Sequence, residues 1–149
     1  MTDYKAVISN PKTGKSVQKE LKEDSAAALN GLKIGDKVNG ESIGFSGYEF
    51  VITGGSDTAG FPMRSDVPGI GLKKILTVKG IGVNNKLKYR GKDMKGKRTM
   101  KGMRQRKTVA GNTVGPKTAQ VNLKITKQGK EDLFPAPAAE AKAEEPKKG

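Results

Sequence analysis

The chain has 149 residues, of which 34% are apolar and only seven aromatic, enough for one small domain with a modest core. It contains neither cysteine nor histidine, which excludes a disulfide framework and a zinc ribbon or finger. A net charge of +14 points to a polyanionic partner.

The opening MTDYKAVISNP has neither the basic start nor the long apolar run of a secretory signal, and no stretch reaches the length of a membrane span. The cytoplasm is the expected compartment. Tyr4 to Ser9 reads as a strand, Asn10-Pro11-Lys12-Thr13-Gly14 as a turn, and Lys15 to Leu21 as the returning strand of a hairpin. Glu23 to Leu29 is the best short helix, with Asp24 or Ser25 as its cap and Asn30-Gly31 as its end. Leu32 to Val38, broken by Gly35-Asp36, is either a short strand or an irregular connection. Tyr48, Phe50 and Ile52 alternate with Glu49 and Thr53 in a half-buried strand pattern, which Gly54 and Gly55 are expected to end. Val67-Pro68-Gly69 suits a tight turn. Leu72 to Val78 is the next strand, with Lys74 on the face of Leu72, Leu76 and Val78, and with Lys73 and Lys74 near a surface.

Essentially all the excess charge lies in one segment. Residues 1–80 hold eleven bases and nine acids, residues 81–130 fifteen and one, and residues 131–149 three and five. Between Lys86 and Lys107 lie eleven bases: Lys86, Lys88, Arg90, Lys92, Lys95, Lys97, Arg98, Lys101, Arg104, Arg106 and Lys107. Asp93 is the only acid among them. Such a run repels itself and gains its countercharge from phosphates, releasing condensed counterions. Gly91, Gly96 and Gly102 oppose a continuous helix, so an extended arm is expected. Tyr89 either stacks on a base or packs against the scaffold, and Met94, Met100 and Met103 read as loop filler or adaptable apolar contacts. Downstream, Val121, Leu123 and Ile125 alternate strictly with Asn122, Lys124 and Thr126, the cleanest strand signal in the chain. The basic run is therefore an excursion that returns to its scaffold. From residue 131 the Pro/Ala/Glu/Lys-rich sequence has nothing to bury, and disorder is expected.

These elements predict a mainly β protein: a small barrel-like domain with one short helix, an extended basic arm and a disordered C-terminal tail. The division is a body over 1–80, an arm over 81–115, a returning strand over 116–130 and a tail over 131–149. Gly54 to Gly60 lacks the Lys-Ser/Thr of a phosphate-binding loop, and Gly69-Ile70-Gly71 lacks a third glycine, so both read as turns. Asp57 and Asp66 have no His, Cys or serine nucleophile beside them and read as turn carboxylates. The chain is not expected to be an enzyme, nor to hold a metal, a cofactor or a small-molecule substrate.

The stretch Ile52-Thr53-Gly54-Gly55-Ser56-Asp57, continued by Gly60-Phe61-Pro62-Met63-Arg64 and Asp66-Val67-Pro68-Gly69, resembles the signature of a family of small-subunit ribosomal proteins, S-six-e, shared by archaea and eukaryotes. Arg106 to Thr113 extends the resemblance, as does the opening hairpin with Asn10-Pro11 and Thr13-Gly14-Lys15, so that roughly residues 3 to 130 are covered. Gly54, Gly55, Asp57, Gly60, Pro62 and Met63 form the signature loop. Two departures stand out. Ala110 occupies a position where the family commonly has arginine, and residues 80–101 are richer in Gly and Lys than in the usual Arg and Pro. The eukaryotic members end in a basic extension with phosphorylated serines; no serine follows Ser65 here, so that switch is not carried over and an archaeal-type member is indicated.

The resemblance implies a structural constituent of the small ribosomal subunit that supports translation. It would have rRNA and neighbouring ribosomal proteins as partners and no membrane contact. The alternative is a free nucleic-acid-binding regulator or chromatin-type protein. The residues expected on RNA are Arg64, Lys73, Lys74 and Tyr89 together with the eleven bases of the run.

Overall fold

A computed structural model of the chain describes residues 4–84, 86–88, 97–99, 102–129 and 133–134; for residues 23, 86–88 and 97–99 the backbone alone is described. The opening hairpin forms as the sequence indicates, from β1 (Tyr4–Ser9) and β2 (Ser16–Leu21), paired antiparallel from Tyr4↔Leu21 to Ser9↔Ser16. Asn10 closes its turn: its side chain accepts the Lys12 N–H at 2.9 Å. The alternating strand downstream is β9 (Thr118–Lys127), which enters between β1 and β4 (Glu49–Asp57). A short strand, β3 (Lys37–Asn39), completes a five-stranded sheet of order β2-β1-β9-β4-β3. Within this sheet only the β1–β9 pairing is parallel.

One face of the sheet carries the core. Tyr4, Ala6 and Ile8, Phe50 and Ile52, and Val121, Leu123 and Ile125 alternate inward and are buried. They are covered by a five-residue helix, α1 (Glu23–Ala27), and by the passage from the 3-10 turn Gly40–Ile43 to Tyr48. Phe50 packs edge-on against Phe45 and in a stack with Tyr48, each at 5.8 Å between ring centroids.

The fold corrects four expectations. The sheet is open, not a barrel: β2 and β3 pair on one side only, and loops and a helix, not a closing strand pair, cover the core face. Both edges are of the blunted kind, β3 by brevity and β2 by the polar run Gln18-Lys19-Glu20. Helix α1 starts at Glu23 with Lys22 as its N-cap residue and no side-chain cap bond, so Asp24 and Ser25 lie inside its first turn. Gly54 and Gly55 do not end β4, which runs on to Asp57. At Gly55 an added Cβ would collide with the Gln120 carbonyl oxygen and lie 2.9 Å from Met63 Sδ, so the missing side chain is what lets β4 and β9 stay in contact. Finally, Leu133 is buried and Phe134 packs against the core, which holds the chain to the body past residue 131. The expected disorder of 131–132 and 135–149 lies outside the described residues.

The basic excursion leaves the sheet as a ribbon. Strand β5 (Leu72–Thr77) pairs antiparallel with β8 (Gln105–Ala110), and β6 (Lys86–Lys88) pairs with β7 (Lys97–Thr99). Leu32 to Asp36 forms an irregular connection ahead of β3.

Candidate nucleic-acid interface

The ribbon is rooted in the loop after β4. Met63 is buried and bridges to Ala110 of β8; the Ala110 N–H donates to the Pro62 carbonyl at 2.9 Å, and the Arg64 N–H to the Ala110 carbonyl at 3.2 Å. Behind this, the Met63 N–H donates to the Gly55 carbonyl at 2.9 Å. One short segment is thereby stitched to the sheet on one side and to the ribbon on the other. Asp57 is a turn carboxylate, as expected: it is buried and accepts the Thr58 N–H at 2.8 Å. Asp66 also lies in a turn, and its carboxylate pairs in addition with Arg64.

Arg64 is the clamp at this root. Nε and Nη2 donate to the two oxygens of Asp66 at 2.8 and 2.6 Å, and Nη1 donates to the Ile81 carbonyl at 2.9 Å. Its side chain is 15% exposed against 57% for Asp66. Hydrogen bonding to Asp66 raises the guanidinium pKa, and the same bonds hold the Asp66 carboxyl below the usual carboxylate range. Ile81 sits within a tight reversal in which Gly80 and Val83 exchange N–H···O bonds of 3.0 Å. Gly82, in that reversal, has φ of 76°, and a Cβ there would lie 2.8 Å from Pro62 Cγ and 2.9 Å from Val109 Cγ1. The reversal rests on the signature loop, and Arg64 holds it down.

Beyond the root the surface is cationic. Lys73, Lys74, Lys79, Arg104, Arg106 and Lys107 are all exposed. Lys73 Nζ donates to the Pro68 carbonyl at 2.8 Å. Among the described residues the two ion pairs are Arg64–Asp66 and Lys127–Glu49, so none of these six bases is paired with an acid. From residue 67 to residue 130 the chain has eighteen bases and one acid. Lys86, Lys88, Lys97 and Arg98 lie on a separate two-stranded pair, β6–β7. Tyr89, Arg90, Lys92, Lys95 and Lys101, and with them Gly91, Met94, Gly96 and Met100, lie outside the described residues.

A family model described as ribosomal protein S6e matches residues 4–136. The chain belongs to that family. It is similar to the small ribosomal subunit protein eS6 of Thermoplasma acidophilum, with 42% identity over 137 residues covering 92% of this chain and 95% of that one. Identity to the eS6 protein of Nanoarchaeum equitans is 44% over 125 residues (84% and 82% of the two chains). For that of Methanoregula boonei it is 35% over 150 residues (99% and 96%).

Within this family frame the signature residues Gly55, Asp57, Pro62 and Met63 have a mechanical role: they join sheet to ribbon. Two contributors escaped the sequence reading. Lys79 adds a cation between β5 and the reversal; lying outside the dense run, it gave no signal of its own. Asn112 organises the Val67–Gly69 turn, accepting the Gly69 N–H at 3.3 Å on its side chain while its own N–H donates to the Val67 carbonyl at 2.8 Å. An Asn following a strand is a turn signal, but its partner lies over forty residues away in sequence.

Proposed function

We propose that the chain is a structural constituent of the small ribosomal subunit, seated on rRNA and acting in translation in the cytoplasm, without enzymatic activity. The observation that carries this is the basic excursion: fourteen bases against one acid over residues 72–110, mounted on a clamped root, with Lys73, Lys74, Lys79, Arg104, Arg106 and Lys107 exposed and without acidic partners among the described residues. Cations so placed gain free energy by displacing the counterions of a polyanion. The family membership selects rRNA as that polyanion.

In this reading the body fixes position and the arm neutralises phosphates where rRNA helices converge. Lys73, Lys74, Arg104, Arg106 and Lys107 act on the ribbon, and the bases from Lys86 to Lys101, with Tyr89, act beyond it. Arg64 serves by holding the root. Neighbouring ribosomal proteins complete the partner set. Sedimentation of cell extract through a high-salt gradient tests the assignment. The chain is expected to travel with the small subunit; recovery only in the free pool would overturn it in favour of a free nucleic-acid-binding regulator or chromatin-type protein.

A further inference from the structure

The two faces of the β5–β8 ribbon are unlike. Cross-strand partners share a face, so one face carries Leu72, Lys74 and Leu76 opposite Ala110, Thr108 and Arg106, and Val78 follows just past the end of β5. The other carries Val109, which is fully buried and close to the Gly82 reversal. At the root both faces are covered, Ala110 on the first and Val109 on the second; further out the second face holds half-buried Ile75, Thr77 and Gln105 beside exposed Lys73 and Lys107, while Leu72, Lys74, Leu76 and Arg106 of the first, the outward one, are all exposed. Against the usual pattern, the outward face is the one with large aliphatic side chains: Leu72 is 44% exposed, Leu76 58% and Val78 47%. A stripe of this kind beside unpaired cations marks a contact surface.

Its composition restricts the occupant. Lys74 stands between Leu72 and Leu76, and Arg106 lies directly across from Leu76. A dry apolar protein interface would bury those cations unpaired, at high cost. An anionic partner with apolar patches of its own avoids that cost. Single-stranded RNA is read by stacking bases on aromatic rings, and neither strand of the ribbon contains one. The shallow minor groove of A-form RNA, by contrast, is wide, displays base edges and riboses with their 2′-hydroxyls, and is bordered by phosphates on both sides. The minor groove of B-form DNA, about 6 Å wide, is too narrow for a ribbon. From Leu72 to Val78 the strand covers about 20 Å, enough to cross such a groove and reach both borders.

We infer that the outward face of the β5–β8 ribbon seats in the minor groove of duplex RNA, with Leu72, Leu76 and Val78 against ribose edges and Lys74 and Arg106 on the bordering phosphates. This rests on the RNA-binding reading of the ribbon and adds the mode of contact.

The test measures binding of the full chain to an RNA hairpin of about 16 base pairs, to the DNA hairpin of the same sequence and to a single-stranded oligo-uridine of similar length. Leu76→Ser/Val78→Ser should weaken duplex-RNA binding about tenfold while leaving the salt dependence unchanged, because apolar burial releases no counterions. Leu76→Ala alone, the milder change at an exposed site, should cost about threefold. Lys74→Gln/Arg106→Gln should lower the salt slope by about two. DNA and oligo-uridine should bind more weakly and respond little to the apolar changes. Unchanged duplex affinity in both apolar variants, with the charge variant still active, would overturn the groove contact alone. Unchanged RNA affinity with loss of incorporation into subunits would assign the face to a protein neighbour and overturn it likewise. Equal losses on oligo-uridine would overturn duplex recognition. Failure of the unaltered chain to bind any of the RNAs would instead sink the underlying RNA-binding reading.

Discussion

Replacing Arg64 by alanine removes three donated hydrogen bonds at once, two to Asp66 and one to the Ile81 carbonyl. The Asp66 side is largely exposed, so that pair contributes little, about 0.2–1 kcal/mol. The bond to Ile81 comes from a charged donor that is mostly buried and contributes about 1.5 kcal/mol. Together the loss is about 2 kcal/mol, concentrated on the reversal between Gly80 and Val83. Amide hydrogen exchange is the direct assay. Protection at Gly80 and Val83 should fall about 30-fold, since each 1.4 kcal/mol is a factor of ten, while Ile52 and Leu123 in the sheet keep theirs. The pH dependence has a definite sign. Asp66 has a folded-state pKa below its ordinary value of about 3.9, so its contribution is fully present above that pH and is lost as the pH falls through the lower folded value. Arg64, with its pKa raised, stays charged throughout the accessible range. The clamp should therefore hold from about pH 5 to 9 and loosen only in acid. Unchanged protection at Gly80 and Val83 in Arg64→Ala, together with a salt slope for RNA binding lowered by about one, would refute this reasoning and make Arg64 a phosphate ligand.

Two further outcomes are expected. With about half of the eleven bases from Lys86 to Lys107 on phosphates, log affinity for RNA should fall with log salt at a slope of about −4 to −5. Replacing residues 86–101, which hold eight bases, by a short glycine linker spares β8 and should reduce that slope by about three; an unchanged slope would show that the tip is merely solvated. Gly82→Ala forces a side chain into positive φ and against Pro62 and Val109, at a cost of about 1–3 kcal/mol. Thermal unfolding should then shift down by several degrees, and a midpoint equal to that of the unaltered protein would contradict the close packing described.

The sequence showed most where a single strand carries its own pattern. The alternation of Val121, Leu123 and Ile125 and the turn at Asn10 to Gly14 are local signals, and both elements formed where they indicate. Gly54 and Gly55 misled because their reason is not local: Gly55 accommodates a carbonyl of β9, sixty-odd residues downstream. The same holds for closure. The polar run of β2 blunts its edge but does not say which strand lies across the sheet from it, and the barrel expectation failed on that. At the site, charge density marked out the basic run but not the ribbon at its root, because the pairing of Leu72 with Ala110 joins positions 38 residues apart. Arg64 illustrates the limit most clearly. Its place in a signature loop set it among the residues expected on RNA, while its bond to the Ile81 carbonyl, seventeen residues away, is not legible in the sequence.

The place of β9 in the sheet has a temporal consequence. It lies between β1 and β4, yet it is made after every other described strand. During synthesis the β1–β2 and β3–β4 pairs emerge as two hairpins whose facing edges have no partner, and the cationic ribbon emerges before the sheet can close. Such long-range pairing is slow, and bare strand edges invite association with other chains. Like charge on the emerging ribbons opposes that association, because two unfinished copies repel each other. The segment proposed to bind RNA in the finished protein would thus also keep unfinished copies apart.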